Sequence, residues 1–212
     1  MLYVDEIFLS IQGESTDVGR PCVFVRLYGC NIGCKFCDQP QTPKCNKHKM
    51  SLDTIEDKIR HFGVRYVCIT GGEPLLQGDA YTLTYDLVAQ DYEVAIETSG
   101  CIPIEVDNYG RSFKYIMDIK CPSSGVSHKN IYRNLENLTT KDEVKFVISD
   151  REDYLFAKTV LRNYPTTAKV LFSPVFNKDN KTYIGGLLTE WVLKDRLNAR
   201  IQVQLHKILG VR

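Results

Sequence analysis

The sequence contains no run of eighteen apolar residues, so no segment reads as a membrane-spanning helix. It carries no excess of either charge. Its 27 Lys and Arg face 26 Asp and Glu, which excludes a global positive field that would gather nucleic acid or anionic membrane. The opening MLYVDEIFLSIQGES lacks a basic stretch followed by a long apolar one, so nothing there reads as a secretory leader. Repeats, low-complexity tracts and long linkers are also missing. With 212 residues, 43% of them hydrophobic, the chain is expected to form one soluble cytoplasmic domain whose core needs no disulfides.

Cysteine, by contrast, is plentiful: eight residues, at 22, 30, 34, 37, 45, 68, 101 and 121. In a reducing compartment such residues serve as ligands or as small buried hydrophobes rather than as disulfide partners. Only Cys30, Cys34 and Cys37 are tightly clustered.

Apolar runs bounded by turn residues predict strands at 22–28, 65–69, 93–97, 114–118, 143–148, 169–172 and 200–205. Leu52, Ile55, Ile59 and Phe62 repeat at helical spacing behind Ser51, a plausible N-cap, and Leu188, Trp191 and Val192 form a second stripe. Alternating strands and helices imply a mainly parallel α/β sheet. The strands look internally apolar, as strands covered on both faces do. The stretches 98–113 and 119–142 read as loops that cover or flank a site. GCNIGCKFCD, TGGEP, ETSG, DIK and SPV each sit at or beyond the end of a predicted strand, and QLHK ends the last. In parallel α/β folds ligands bind at the carboxyl ends of strands.

The spacing Cys30-x3-Cys34-x2-Cys37 puts three thiolates on one tight loop, with Gly29 and Gly33 free to wrap the backbone around a compact inorganic cluster. Three ligands leave one iron open. A ferredoxin or a structural zinc site closes with a fourth ligand, which Cys45 or His48 would have to supply here.

The cysteine triplet, with Phe36 before its last member and GGEP after the next strand, resembles the radical S-adenosylmethionine (SAM) superfamily. That resemblance implies a partial (β/α) barrel of mainly parallel strands. A [4Fe–4S] cluster on Cys30, Cys34 and Cys37 would bind SAM at its fourth iron and cleave it to a 5′-deoxyadenosyl radical. The implied cofactor-binding positions begin with Phe36, Cys37 and Asp38, then Gly72 and Glu73. They continue with Glu97 and Ser99 of ETSG, with Asp118, Ile119 and Lys120, and with Ser173, Pro174, Val175 and Phe176.

IFLSIQGES, GRPCVFVRLYGC, the CD pair at 37–38, TGGEPLLQ, VKFVISD and QLHKILG further resemble the 7-carboxy-7-deazaguanine synthase family, in the family's order over essentially the whole chain. The implied reaction contracts 6-carboxy-5,6,7,8-tetrahydropterin to 7-carboxy-7-deazaguanine with loss of ammonia, on the route to queuosine and related bases. The radical would take a substrate hydrogen and later return one. Ile11, Gln12, Gly13 and Glu14 would pair with the pterin edge, Arg26 would clamp its carboxylate, and Thr70 and His206 would lie beside it. Arg26 interrupts an apolar strand and needs an anionic partner, either a ligand or an internal carboxylate. A homodimer and a flavodoxin or ferredoxin reductant are implied likewise.

Two positions depart from the family pattern. Threonine, a magnesium ligand, is usual where Gln39 stands, so the Gln39 amide oxygen or the Thr42 hydroxyl would have to serve, or the metal is dispensed with. Ser15 replaces a glycine, which matters if that residue adopts a positive φ. The segment 39–50 is also short, and Cys45 within it is expected to be a free thiol. A glycyl-radical activase shares the cysteine spacing but leaves the SIQGE loop, Arg26 and QLHK without a role. A non-catalytic iron–sulfur or zinc module leaves the strand-end motifs unexplained.

Overall fold

The computed structural model describes residues 1–37, 39, 47–105, 112–176 and 184–212. Apolar runs of alternating direction build its centre. In β2 (Pro21–Leu27), Val23, Val25 and Leu27 face one way and Cys22, Phe24 and Arg26 the other. The same alternation holds in β4 (Tyr66–Gly71), β5 (Glu93–Thr98), β6 (Phe113–Ile119), β7 (Glu143–Ile148) and β8 (Lys169–Pro174).

These strands pair in parallel in the order β2-β4-β5-β6-β7-β8, and a two-residue β9 (Arg200–Ile201) extends the row. Beyond β2 lie β1 (Leu2–Ile11), antiparallel to it, and β3 (His48–Met50) on the outer edge. Crossover helices are α1 (Leu52–His61), α2 (Asp79–Ala89), α3 (Arg151–Asn163) and α4 (Gly185–Asp195). Ser51 caps α1 as expected, its side chain accepting from Thr54 N. The helix-facing side of the sheet carries the main core, including Val25, Ile69, Ile96, Met117 and Phe146. A smaller cluster of Phe8, Cys22, Phe24, Tyr66, Cys68, Ala95 and Ile116 lies on the opposite, inner face.

The inner face is therefore not uniformly apolar, contrary to the reading of strands apolar on both sides. Arg26, Thr70, Glu97, Asp118 and Lys145 share that face towards the strands' carboxyl ends. Arg26 is in register with Thr70, and Asp118 with Lys145. A short α5 (Leu205–Leu209) follows β9. Residues 202–205, predicted as strand, leave the sheet because Gln202 Oε1 accepts from Ser15 N and Leu205 N donates to Gly13 O. From α5 the chain reaches β1, where Ser10 Oγ donates to Arg212 O and Arg212 pairs with Glu6 and lies over Phe8. The last segment thus bridges the two edges of a partial barrel. Of the loop-rich stretches, 119–142 contains 3-10 turns at Pro122–Ser124, Ser127–Lys129 and Tyr132–Asn137. Among the described residues no helix is long and apolar enough to cross a membrane.

Candidate active site

The loop that follows β2 carries the three cysteines. Gly29 (φ 104°) and Gly33 (φ 78°) both occupy left-handed backbone, the freedom their identity suggested. Cys30 and Cys37 are exposed and Cys34 is half-buried. Burial pushes the Cys34 thiol up, against the pull of Lys120, and the neighbouring Cys37 and Cys30 sulfurs push it further. The loop is held from outside. Lys129 Nζ donates to Asn31 O (2.9 Å) and Ile32 O (2.8 Å), and Lys35 N donates to Ser124 O (3.0 Å). Among the described residues no three His, Cys, Asp or Glu side chains converge into a formed metal site. Three thiols on one anchored loop, two of them open to solvent, suit a cluster with one uncapped iron. Cys45 lies outside the described residues, and His48 sits on β3 at the sheet edge.

TGGEP does something its sequence did not announce. A Cβ on Gly72 would fall 2.2 Å from Gly29 O and 2.7 Å from Cys30 Cβ, and one on Gly71 would fall 2.2 Å from Leu27 O. Both glycines therefore let the cysteine loop pass directly over the end of β4. Glu73 is wholly buried and accepts from Leu75 N, Thr98 Oγ1, Ser99 N and Ser99 Oγ. Three of these four donors belong to the ETSG turn, which the Glu73 carboxylate thereby ties to the cysteine loop. Glu73 N completes the tie by donating to Gly29 O at 2.8 Å.

Deeper inside, two hydrogen-bonded chains cross the inner face. Glu97 accepts from Thr70 Oγ1 (2.9 Å) and Gln12 Nε2 (3.2 Å), and Gln12 Oε1 accepts from Glu14 N (3.1 Å). Glu14 accepts from Lys145 Nζ and Gln204 Nε2, each at 2.6 Å. Lys145 also approaches Asp118 at 3.7 Å, and Lys120 Nζ donates to Asp118 at 3.0 Å. Burial alone would raise the Glu14 carboxyl, but Lys145, Gln204 and the nearby His206 prevail and hold it at about 2. Among the described residues Asp118 Oδ1 is buried without a hydrogen-bond partner, an acceptor left for a ligand donor. Arg26 finds its anion in Glu6, with Nε 3.0 Å from Oε1, so the internal-carboxylate alternative holds in this state.

The SIQGE loop is not merely a turn before the cysteine strand. It is the tip of the β1–β2 hairpin, folded under the barrel. Thr16 donates to Glu143, Lys114 bridges Asp17 and Glu143, and Arg20 reaches Glu93, all near the strands' amino ends. A Cβ on Gly13 would meet His206 Nδ1 at 1.8 Å, so α5 docks where only glycine fits. Ser15 does adopt φ 67°, and its Oγ accepts from Asp17 N at 3.0 Å.

Of the remaining expected positions, Ile11 belongs to β1, Ser173 and Pro174 end β8, Val175 N bonds Ile148 O, and Phe176 lies under Lys207. Ile119 faces the helix-side core, which leaves only its backbone for a ligand. Phe36 is half-buried beside Cys37, and Gln39 is an exposed bend. Asp38 and Thr42 lie outside the described residues. Sequence reasoning did not single out Lys145, Glu6 or Lys129. Lys145 had a signal, a cation within the apolar run EVKFVI. Lys129 had none, because a surface lysine in a loop looks like any other.

The family model described as the radical SAM superfamily matches residues 24–117. The 7-carboxy-7-deazaguanine synthase of Koribacter versatilis is 41% identical, over 98% of this chain and 96% of that protein. That of Chlorobaculum tepidum is 39% identical over 98% and 94%. That of Methanospirillum hungatei is 37% identical over 98% and 85%. The fold is also similar to the crystal structure of QueE from Escherichia coli, with a TM-score of 0.77 at 22% identity over 97% of this chain and 94% of that one.

Proposed function

Because the chain belongs to the 7-carboxy-7-deazaguanine synthase family of radical SAM enzymes, we propose that it contracts 6-carboxy-5,6,7,8-tetrahydropterin to 7-carboxy-7-deazaguanine with loss of ammonia, for queuosine-type base synthesis. The observation that carries this reading is the cysteine loop standing over a polar inner face, in a chain related over its whole length to enzymes of that name.

Cys30, Cys34 and Cys37 would hold the [4Fe–4S] cluster, and Gly72, Glu73, Ser99, Asp118 and Lys120, at the strand ends beside that loop, would hold SAM. When bound, the two together supply one-electron cleavage of the sulfonium bond to a 5′-deoxyadenosyl radical. The chain's own part is orientation and exclusion. Arg26 keeps its terminal nitrogens for a substrate carboxylate while Glu6 takes Nε, a division that fixes the plane of the fork. Glu14 is an ionised acceptor with lone pairs beyond those that Lys145 and Gln204 use, suited to the N–H groups of an aminopyrimidinone edge. Thr70 and Gln12 hold Glu97 in place, and His206 packs against Gly13 beside Glu14. Gln39 or Thr42 would supply a magnesium oxygen ligand. A homodimer in the cytoplasm, reduced by flavodoxin or ferredoxin, completes the proposal.

Anaerobic reconstitution with iron and sulfide, then reductant, SAM and 6-carboxytetrahydropterin with and without magnesium, tests it. Carboxydeazaguanine in the mass spectrum is the expected product. Cofactor cleavage without that product overturns the substrate assignment. Arg26→Ala is expected to lower product formation more than uncoupled cofactor cleavage.

A further inference from the structure

Lys145 is the inner-face cation with the most to organise. Its strand, β7, is otherwise Glu143, Val144, Phe146, Val147 and Ile148, and its side chain is only 13% exposed. Four charged groups face it or its partner. Glu14 lies at 2.6 Å and Asp118 at 3.7 Å, Lys120 shares Asp118 from β6, and Glu97 projects from β5. His206 of α5 is near Glu14 from the other side. Asp118 already has Lys120, so the partner that depends on Lys145 for its counter-charge is Glu14.

Resting on the pterin reading above, we propose that Lys145 is a positioning residue that sets substrate specificity by holding Glu14 as an acceptor-only carboxylate. Protonated, Glu14 would offer an O–H and could rotate. Ionised and gripped at one oxygen by Lys145 and at the other by Gln204, it offers only lone pairs, in a fixed plane. Two adjacent N–H donors match such a plane. A pteridine with a 2-amino group and N3–H has that pair, whereas its 2-oxo counterpart, a lumazine, puts an acceptor where one donor should be. An unpaired carboxylate facing a carbonyl is strongly disfavoured, which makes the lysine a selector as well as a brace.

The test is equilibrium binding of 6-carboxypterin and 6-carboxylumazine to the reconstituted protein with SAM, with iron content and thermal melting as controls for folding. Wild type is expected to prefer the pterin by about tenfold or more, from one lost hydrogen bond and one repulsive contact. Lys145→Met should bring that ratio close to one, and pterin binding should then tighten as pH rises and Glu14 ionises. Lys145→Arg should restore the preference. Glu14→Gln, which exposes no unpaired carboxylate, should also abolish it, so the inference stays testable if Lys145→Met does not fold. An unchanged pterin-to-lumazine ratio in Lys145→Met or in Glu14→Gln overturns the inference alone. Binding of neither pteridine by wild type sinks the substrate reading and the inference with it.

Discussion

The cysteine loop at 28–37 and the hairpin tip at 12–20 are built in opposite ways. In the cysteine loop Cys30 and Cys37 are exposed, and Lys129, Ser124 and Glu73 hold the loop by its backbone. In the hairpin tip nearly every functional atom is already engaged: Gln12 with Glu97, Glu14 with Lys145 and Gln204, Gly13 O with Leu205 N, and Thr16 with Glu143. The contrast agrees with what each is proposed to hold. An inorganic cluster supplies strong bonds of its own and needs bare thiolates on a loop of the right path. An uncharged pterin ring is recognised by a few hydrogen bonds, whose value depends on groups already fixed in place.

The largest effect should come from the open region. Cys30→Ala is expected to lose the cluster and cofactor cleavage together, read as iron content and 5′-deoxyadenosine formation, while the fold survives because Cys30 is exposed. A variant that still cleaved SAM at the wild-type rate would mean that Cys30 is not a cluster ligand. Next is Gly13→Ala in the paired region. The added carbon displaces His206 and should cost about 1–3 kcal/mol, with hydrogen exchange rising across 205–209. Unchanged exchange there would mean that α5 does not depend on the hairpin tip.

The third test is acid. The Glu14 carboxyl is held at about 2 against an ordinary 4.5, so its ionised form is preferred more strongly in the folded chain. The stability it contributes is fully present above pH 4.5 and drains away as pH falls towards 2. Wild type should therefore show a steeper loss of stability than Glu14→Gln across that window, and parallel curves would contradict the ion pair. The smallest effect belongs to Ser15. Ser15→Gly relieves left-handed strain but deletes the hydrogen bond from Asp17 N, so stability should change by no more than about 0.5 kcal/mol. Ser15→Ala keeps the strain and loses the bond, and should cost about 1 kcal/mol in a denaturant melt.

Six predicted strands were found within two residues of their expected ends, because each is a continuous apolar run bounded by turn residues. The seventh was cut to Arg200–Ile201, since contacts with residues 13 and 15 pull the following residues off the edge. β1 was overlooked because LYVDEIFLSI mixes charge into its pattern: Glu6 is there as a partner of Arg26 across the hairpin and of Arg212. α2 and α3 were not marked either, although α3 has a capping aspartate in Asp150, whose side chain accepts from Asp153 N. At the site, the cysteine triplet, Gly71–Gly72 and Arg26 were legible because each violates its local pattern. The bond between Glu73 and the ETSG turn was not legible, since nothing in GGEP says which donors will meet the carboxylate.

The amino-acid sequence by itself determined the cysteine spacing, the parallel strand sequence, and the family to which those motifs belong, because these are encoded locally and survive any arrangement of the rest. The tertiary structure alone decided which charges meet. Glu14 reaches Lys145 across 131 positions and Gln204 across 190, and no periodicity or propensity specifies partners at that separation. Only closure of the partial barrel brings them together, and only that burial turns three ordinary polar side chains into a fixed acceptor.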